Sequence, residues 1–346
     1  MCDHHSPDPV LVVDTRGDIV ESCYRGTYAV VDLDGRIVEA VGRWQRPVFT
    51  RSALKYFQQI PLVESGAYQA LGLTEEELAV ACASHSGEPV HIRAVQRILQ
   101  KVGCSEKDLG CGVHPPTHQA TRHRMIREGT PFSPLHNNCS GKHAAFLALA
   151  VYGGYSTHDY LDVHHPIQKM IRQTVSSVMD IPESELIAGI DGCSAPNYAM
   201  PLDRLALGFA RLADASRDYP RASAAALRTI RDAVRKHPYM VGGENRYCTQ
   251  LMEAAGDHVI GKTGAAGVYG FGLLQKNMGG AVKVESGVGE IQYFIVQGLL
   301  NQWLPANRFL QELDKIYLHR DLTNWNKYIT GHRNLLKNEP RVKDFS

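Results

Sequence analysis

The sequence predicts an α+β fold in which strands from both ends of the chain form one antiparallel sheet against a helical block. Three observations support this: strand patterns over residues 9–46, helical patterns over 51–256 and strand patterns again over 257–290. Each strand segment is too short to be stable alone, so the two are expected to share a sheet. Residues 1–346 are predicted to form a single domain.

The elements follow from local patterns, taken in chain order. The N-terminal segment contains "VLVVDT", "DIVESCY" and "YAVVDLDGRIVEAVG", with Asp34-Gly35 as a hairpin turn. In the middle, Thr74 and Glu77 have the spacing of a capping box, and "RASAAALRTIRDAVRKH" is rich in helix formers. The strands "HVIGKTG", "GVYGFGLLQ" and "AVKVES" follow, then two helices, "EIQYFIVQGLLNQW" and "NRFLQELDKIY", and a charged tail.

The charge balance argues against a polyanionic partner. Lys and Arg number 37 against 36 Asp and Glu, which provides no field for nucleic acid or an anionic membrane. We therefore expect a small neutral or zwitterionic ligand. The first residues lack the features of a secretory signal, no apolar run reaches membrane-spanning length, and the eight cysteines show no paired spacing. These features predict a cytoplasmic protein with reduced thiols.

The segment "GDHVIGKT" matches the phosphate-loop pattern letter for letter. A phosphate loop needs a strand before its first glycine and a helix beginning at its Lys-Thr. Here a helical pattern precedes Gly256, and the glycines after Lys262 disfavour a helix. We therefore interpret Lys262 as a strand residue facing a cleft, with Gly264 among the glycines that leave room for substrate.

Three short motifs occur in the order found in penicillin-recognising serine enzymes. Ser52 and Lys55 form S-x-x-K, Ser84 begins "SHS", and Lys262 begins K-T-G. On a helix, Lys55 would lie on the same face as Ser52 and could hydrogen-bond it. Two facing lysines would lower at least one ammonium pKa and so provide a base for a serine nucleophile.

A second cluster combines groups that bind metals. Cys139 and His143 have the i, i+4 spacing of two ligands on one helix face, and Cys193 could supply another thiolate. Without Cys-x-x-Cys pairs, buried inert cysteines remain the alternative. Asp191 lies beside Cys193 at the end of a predicted strand, where polar groups often belong to a site. The segment "GGENRY" is interpreted as a glycine turn that caps the next helix.

Five segments together resemble the Rhizobium-type L-asparaginases, also called the asparaginase II or class 3 group: "RSALKYFQ", "ASHSGE", "NNCSGKHAAFL", "IDGCSAPNYA" and "KTGAAGVYGFGL". The resemblance implies hydrolysis of L-asparagine to L-aspartate and ammonia. It also implies a fold similar to serine β-lactamases, penicillin-binding proteins and serine-dependent glutaminases, and a homodimer.

The resemblance implies a role for each site residue. Ser52 with Lys55 and Ser84 with Lys262 correspond to two Ser-Lys pairs, with Ser52 as nucleophile. Cys139, Lys142 and Cys193 correspond to ligands of a zinc ion that orients substrate, and Asp191 and His143 beside them are expected to bind substrate. Arg51 is expected to meet the substrate α-carboxylate, although an exposed surface arginine is the alternative.

The predicted mechanism is acyl transfer through an aspartyl ester of Ser52. Lys55 accepts the serine proton, ammonia leaves after protonation through Ser84 and Lys262, and the N–H groups of Ser52 and of a residue just after Lys262 form the oxyanion hole. The alternatives are a β-lactamase or penicillin-binding-type hydrolase, distinguished by cephalosporin hydrolysis, and a non-catalytic amino-acid- or zinc-binding protein, distinguished by asparagine binding without ammonia release.

Overall fold

The computed structural model describes residues 8–305, 308–318 and 321–336. The strands are β1 (Val10–Arg16), β2 (Ile19–Asp32), β3 (Ile37–Val41), β4 (Val48–Phe49), β5 (Ile187–Ile190), β6 (Pro196–Met200), β7 (Val259–Thr263), β8 (Val268–Leu273), β9 (Met278–Val284), β10 (Asp321–Thr323) and β11 (Ile329–Leu335). The helices are α1 (Lys55–Gln58), α2 (Ile60–Glu64), α3 (Ala67–Ala70), α4 (Glu75–Ala81), α5 (Pro89–Lys101), α6 (Gln119–Arg127), α7 (Ser140–Tyr152), α8 (Pro166–Met179), α9 (Leu202–Asp214), α10 (Ala224–Lys236), α11 (Pro238–Gly242), α12 (Tyr247–Ala255), α13 (Gly289–Trp303) and α14 (Arg308–Tyr317).

The predicted antiparallel sheet is present and joins the two ends of the chain. Its strand order is β10-β11-β1-β2-β9-β8-β7, and β3 pairs with β2. The register of β2 with β9 runs from Gly26 opposite Val284 to Asp32 opposite Met278. The expected α+β class is therefore confirmed, with N-terminal and C-terminal strands sharing one sheet.

Two parts of the chain differ from the predicted layout. The charged tail forms β10 and β11, and β11 pairs with β1, so the sheet extends beyond residue 290. Inside the helical block, β5 ends just before Asp191, where a strand was predicted, but the following β6 was not predicted and pairs with β5 on one side and β4 on the other in a separate small sheet. These short strands carry little periodic signal, because their pairing depends on partners far away in the sequence.

Local signals that sequence reasoning identified are formed as expected. Gly35 has φ +80° in the turn between β2 and β3, and Thr74 and Glu77 make the reciprocal capping-box bonds at the start of α4. Helix α12 ends before Gly256, and Lys262 lies within β7. The phosphate-loop interpretation is therefore excluded, because a strand rather than a helix follows the glycine.

Helices α9 and α13 both pack on the main sheet. Glycines permit the close approach of α9, since a Cβ at Gly279 would lie 2.1 Å from Ala206 O and one at Gly272 2.4 Å from Phe209 O. Helices α4 and α7 approach as closely, with a Cβ at Gly141 only 2.1 Å from Val80 O. This contact brings the residues after α4 next to those that begin α7.

The helices of the described ranges include none that is both long and apolar enough to cross a membrane.

Candidate active site

Ser84 lies between two buried lysines at the centre of the molecule. It follows α4, Lys55 begins α1 and Lys262 lies on β7. Ser84 Oγ is 2.8 Å from Lys262 Nζ and 3.1 Å from Lys55 Nζ, and all three side chains are at most 5% exposed. The structure thus brings together three of the four predicted catalytic residues in direct contact.

Lys55 is surrounded by hydrogen-bond acceptors. Its Nζ donates to Ala83 O at 2.6 Å, to Ser84 Oγ and to Asn138 O at 3.4 Å. An ammonium has three N–H groups, so each has an acceptor in this arrangement. The predicted hydrogen bond from Lys55 to Ser52 is not among those formed in the described part of the chain.

Lys262 has a different environment. Its Nζ contacts two acceptors, Ser84 Oγ and Thr263 O, the latter at 3.1 Å. Burial, and then the nearby charge of Lys55, lower the pKa of Lys262 to about 7. A substantial fraction of this lysine is therefore a neutral amine at neutral pH and can accept a proton.

Ser52 lies in the 3₁₀ turn Arg51–Leu54, immediately before Lys55 and α1. Its side chain is half-buried, and the bonds formed by described residues include none from its hydroxyl or its amide N–H. The hydroxyl is therefore positioned by the backbone alone. A free N–H at this position matches the expected oxyanion-hole donor.

The other expected oxyanion donor is not available. The N–H groups of Thr263 and Gly264 already donate to Cys248 Sγ at 3.2 Å and to Val268 O at 2.7 Å. A Cβ at Gly264 would lie 2.8 Å from Thr50 O, so this glycine lets the segment leading into Ser52 approach β7. The role of Gly264 in binding substrate stays a prediction.

Arg51 and Asp191 form an ion pair on the wall of a cleft of about 510 Å³. Arg51 Nε is 2.8 Å from Asp191 Oδ1, and Arg51 adopts φ +51°, which is uncommon for a residue with a side chain. Burial alone would raise the pKa of the Asp191 carboxyl, but Lys142, Gly192 N–H and Arg51 lower it. Arg51 therefore lines this cleft with an acidic partner, and its role in binding the substrate carboxylate stays a prediction.

The three predicted zinc ligands are close to one another. Cys139 and Lys142 lie at the start of α7, and Lys142 Nζ is 3.0 Å from Cys193 Sγ. Hydrogen bonding to Cys193, together with nearby lysines, holds the pKa of Cys139 well below its usual range despite burial. Burial lowers the pKa of Lys142, but the sulphurs of Cys193 and Cys139 raise it, with a net increase. The hydrogen bond with Cys139 raises the pKa of Cys193 itself, so the charge of the cysteine pair lies on Cys139.

His143 adjoins this cluster. Its Nδ1 is 2.7 Å from Tyr160 OH, whereas its Nε2 is buried and meets no hydrogen-bond geometry with the described residues, although Cys193 is near enough to raise the pKa of the ring. Burial lowers the pKa of His143 to about 4, so the ring is neutral. Among the described residues, no group of three or more His, Cys, Asp and Glu side chains could hold a metal ion, so any metal here would need Lys142 as a ligand.

Sequence reasoning missed two features of this site. The side chain of Asn197 on β6 hydrogen-bonds both backbone groups of Arg51, although it lies within the "IDGCSAPNY" segment already singled out. The buried Glu88 accepts from Ser86 Oγ at 2.6 Å and from Glu244 N at 2.9 Å. The turn "GGENRY" precedes α12, as predicted, and this second contact also ties it to the Ser84 loop.

The profile of the L-asparaginase II family matches residues 12–335. No curated protein sequence matches the chain.

Solved structures with a similar chain path include three bacterial proteins. One from Bacteroides dorei, described as a candidate β-lactamase, is 13% identical with a TM-score of 0.42, covering 80% of this chain and 93% of its own. A β-lactamase from Mycobacterium bovis is 12% identical with a TM-score of 0.39, covering 84% and 94%. A Bacillus glutaminase is 11% identical with a TM-score of 0.38, covering 84% and 90%. These values are low, and the fold is assigned from the topology of the chain itself.

Proposed function

This chain belongs to the L-asparaginase II family, and we propose that it hydrolyses L-asparagine to L-aspartate and ammonia through an acyl-enzyme on Ser52. The observation that supports this most is the position of Ser84 Oγ between two lysines, 3.1 Å from Lys55 Nζ and 2.8 Å from Lys262 Nζ. This arrangement provides a buried base and a hydroxyl relay. Its Lys55 follows Ser52 by three residues, and the Ser52 hydroxyl makes no hydrogen bond with the described residues. A chain that only bound asparagine would not need a lysine whose pKa is lowered to about 7.

In the first step, Ser52 Oγ attacks the side-chain amide carbon of asparagine. The serine proton passes through Ser84 Oγ to the neutral amine of Lys262, while the three-acceptor environment of Lys55 keeps its Nζ fixed on Ser84. The Ser52 N–H stabilises the developing oxyanion. This route assigns the proton to Lys262 rather than to Lys55, because Lys262 has the lowered pKa.

In the second step, the C–N bond breaks. Lys262 returns its proton through Ser84 to the leaving nitrogen, and ammonia departs, leaving an ester between Ser52 and the aspartyl carbonyl. Water then attacks the ester carbon and gives a proton to the same amine. That proton returns to Ser52 Oγ as aspartate leaves, so the enzyme is restored without a net proton change.

The charges of the cleft suit a zwitterionic substrate. Arg51 would receive the α-carboxylate and Asp191 the α-ammonium, each by exchanging part of its present ion pair for the substrate group. Both side chains are anchored near Ser52, so binding here would orient the side-chain amide toward the nucleophile. Gly264 would lie at the far side of the amide.

The chemistry of the second cluster fits a zinc ion. Cys139, Lys142 and Cys193 would hold it, with Cys139 as a thiolate. Beside them, the buried Nε2 of His143 makes no hydrogen bond with the described residues and could accept one from a bound ligand. The ion would supply a fixed positive charge that helps to orient substrate. A homodimeric assembly and a cytoplasmic location stay predictions from the resemblance and the sequence.

One set of assays tests the proposal. Ammonia release would be measured with asparagine and glutamine, and the colour change on hydrolysis with a chromogenic cephalosporin, with zinc content determined on the same sample. We expect turnover of asparagine that is abolished in Ser52→Ala, and an aspartyl adduct on Ser52 in a rapidly quenched reaction. Cephalosporin hydrolysis without ammonia release, or full turnover in Ser52→Ala, would contradict the proposal.

A further inference from the structure

We propose that Asn197 is the positioning residue that holds Ser52 in its reactive orientation, by clamping the backbone of the preceding residue, Arg51, in a left-handed conformation. The inference rests on the proposed function, because it takes Ser52 as the nucleophile. The contact between Asn197 and Arg51 could not be predicted from sequence spacing, because 146 positions separate the two residues.

The first step is the backbone conformation at residue 51. Arg51 has φ +51°, where the Cβ of an L-residue crowds its own carbonyl oxygen. Arginine has no intrinsic preference for this region, unlike glycine or asparagine. The conformation therefore persists only if the surroundings impose it.

The second step is the contact that imposes it. The Asn197 side chain accepts from Arg51 N at 3.1 Å through Oδ1 and donates to Arg51 O at 3.1 Å through Nδ2. A single amide thus binds both backbone groups of one residue, which fixes the orientation of the peptide planes on either side of Arg51. Asn197 is itself 3% exposed and lies on β6, so it provides a rigid anchor.

The third step connects the clamp to the nucleophile. The Ser52 hydroxyl makes no hydrogen bond with the described residues, so its orientation follows the backbone, and a rotation at residue 51 would turn it away from its proposed reactive orientation. The same rotation would redirect the Ser52 N–H. Asn197 Nδ2 also lies 3.5 Å from Asp191 Oδ2, so the amide joins the nucleophile turn to the Arg51–Asp191 pair.

A purely structural explanation is weaker than the clamp. The turn is already joined to β6 by the backbone bond from Thr50 N to Tyr198 O at 3.1 Å, so the Asn197 side chain is not required for that attachment. Its bonds go instead to the strained residue and, through Thr50 Oγ1 at 3.3 Å, to the residue before it.

The test measures Ser52 reactivity independently of asparagine. Purified full-length variants would be labelled with a fluorophosphonate, and the rate of adduct formation on Ser52 followed by peptide mass spectrometry. Asn197→Leu keeps the volume but removes both hydrogen bonds, and we expect labelling to slow by about tenfold or more, as expected for a misplaced reacting group. Thr50→Val is the matched control, since it removes the Thr50 Oγ1 bonds to the same amide and to Tyr198 O but leaves both Asn197 bonds to Arg51, and its labelling rate should stay within about twofold of wild type.

A second background separates positioning from general destabilisation. In Arg51→Gly, residue 51 adopts positive φ without steric cost, so the Asn197→Leu change should slow labelling by no more than about twofold relative to Arg51→Gly alone. Asn197→Asp keeps the acceptor but loses the donor, so it should slow labelling less than Asn197→Leu does, and this slowing should also shrink in the Arg51→Gly background. If Asn197→Leu does not fold, Asn197→Asp with and without Arg51→Gly provides the test. Equal losses in both backgrounds, or wild-type labelling of Asn197→Leu, would overturn the inference.

The same experiment distinguishes this inference from the proposed function. Asparagine turnover would be measured on each labelled sample. A wild type that labels at Ser52 and shows the predicted variant pattern, yet releases no ammonia, would reject asparaginase activity and support the clamp. A wild type that does not label at Ser52 would overturn the clamp with the nucleophile assignment.

Discussion

Lys262 Nζ and Ser84 Oγ lie 2.8 Å apart, although 178 positions separate the two residues, and both side chains are buried. Because the pKa of Lys262 is lowered to about 7, chiefly by burial and then by Lys55, this contact joins a hydroxyl to an amine that can lose its proton at neutral pH. Lys262, which the sequence places in a phosphate-loop pattern, therefore lies within β7, and we propose that it acts there as a base.

The first prediction concerns the pH dependence of activity. A base must be neutral, so kcat for asparagine should rise with pH through about 7 and level off above it, following the deprotonation of Lys262. Lys262→Arg keeps a positive charge that does not titrate in this range and should lower kcat by about 100-fold or more. The measurement is kcat from pH 5 to 9. A rate that declines steadily from pH 6 to 8 would show that the protonated form is the active one.

The second prediction concerns stability. The pKa of Lys262 is lower in the folded chain, about 7, than its ordinary value of 10.5, so between these pH values the unfolded chain binds more protons. The free energy of unfolding should therefore rise with pH across this window, and the full cost, on the order of a few kcal/mol, should be present below pH 7.

Replacing the buried lysine tests this linkage. Lys262→Met should be more stable than wild type at pH 6, and its advantage should shrink by pH 9.5, as measured by urea unfolding at both values. The exposed Lys276→Met is the matched control and should change stability by less than about 0.5 kcal/mol. An advantage of the Lys262 variant that is independent of pH would show that packing, rather than the buried charge, causes it.

A buried carboxylate should prove important for Ser84. Glu88 receives hydrogen bonds from Ser86 Oγ, Tyr239 OH and Glu244 N, and Ser84 N donates to Val241 O in the same loop. Burial raises the pKa of Glu88, but the hydrogen bonds from Ser86 and Tyr239 lower it by more than burial raises it. The carboxyl is therefore ionised in the folded protein. Glu88→Gln should reduce stability by about 1–3 kcal/mol and also lower kcat, because it weakens the attachment of the loop.

The effect on Ser84 can be separated from the effect on folding. Tyr239→Phe removes only one of the three bonds and should cost about 1 kcal/mol with kcat nearly unchanged. Thermal unfolding and kcat would be measured for both variants. If Glu88→Gln destabilised the protein without lowering kcat, Glu88 would be a structural group only.

The sequence indicated which candidate catalytic residues come together better than it indicated their individual contacts. Ser84 and Lys262 could be found because each lies at a recognisable position, after α4 and within β7. The partner of Lys55 could not, because a buried ammonium takes every available acceptor, and Ala83 O and Asn138 O are provided only by the packing of α4 against α7. The same applies to Asn197, whose contact depends on a positive φ at an arginine that no pattern signals. Strands β10 and β11 were missed because they form only by pairing: β11 pairs with β1, far away in the sequence, and β10 pairs with β11.

A pair of glycine substitutions should separate steric clash from backbone strain. Gly243 has φ +102°, and a Cβ there would lie 2.1 Å from Ser86 Oγ and 2.4 Å from Glu88 Oε1. Gly17 also has positive φ, +54°, but no atom lies within 4 Å of its would-be Cβ. Gly17→Ala should therefore cost about 1 kcal/mol with kcat unchanged, whereas Gly243→Ala should cost more than about 2 kcal/mol and lower kcat. Urea unfolding and kcat measure both, and similar values for the two variants would mean that the turn at Gly243 moves without disturbing Ser84.

The metal site predicts a separation between binding and stability. Cys139 and Cys193 flank Lys142, whose buried Nζ contacts the Cys193 sulphur, so a zinc ion would replace a proton on this group as it binds. Cys139→Ser and Cys193→Ser should each lower zinc content at least about tenfold, and raise KM for asparagine more than they change kcat or the free energy of unfolding, because the ion is proposed to orient substrate. Cys104→Ser is the matched control, since this half-buried thiol lies in another part of the chain, and its zinc content should equal that of wild type.

Zinc would be measured by elemental analysis on protein purified without chelator. Equal metal content in wild type and both site variants would remove zinc from this cluster, and a loss of zinc with unchanged KM would leave the ion a structural rather than a substrate-orienting group.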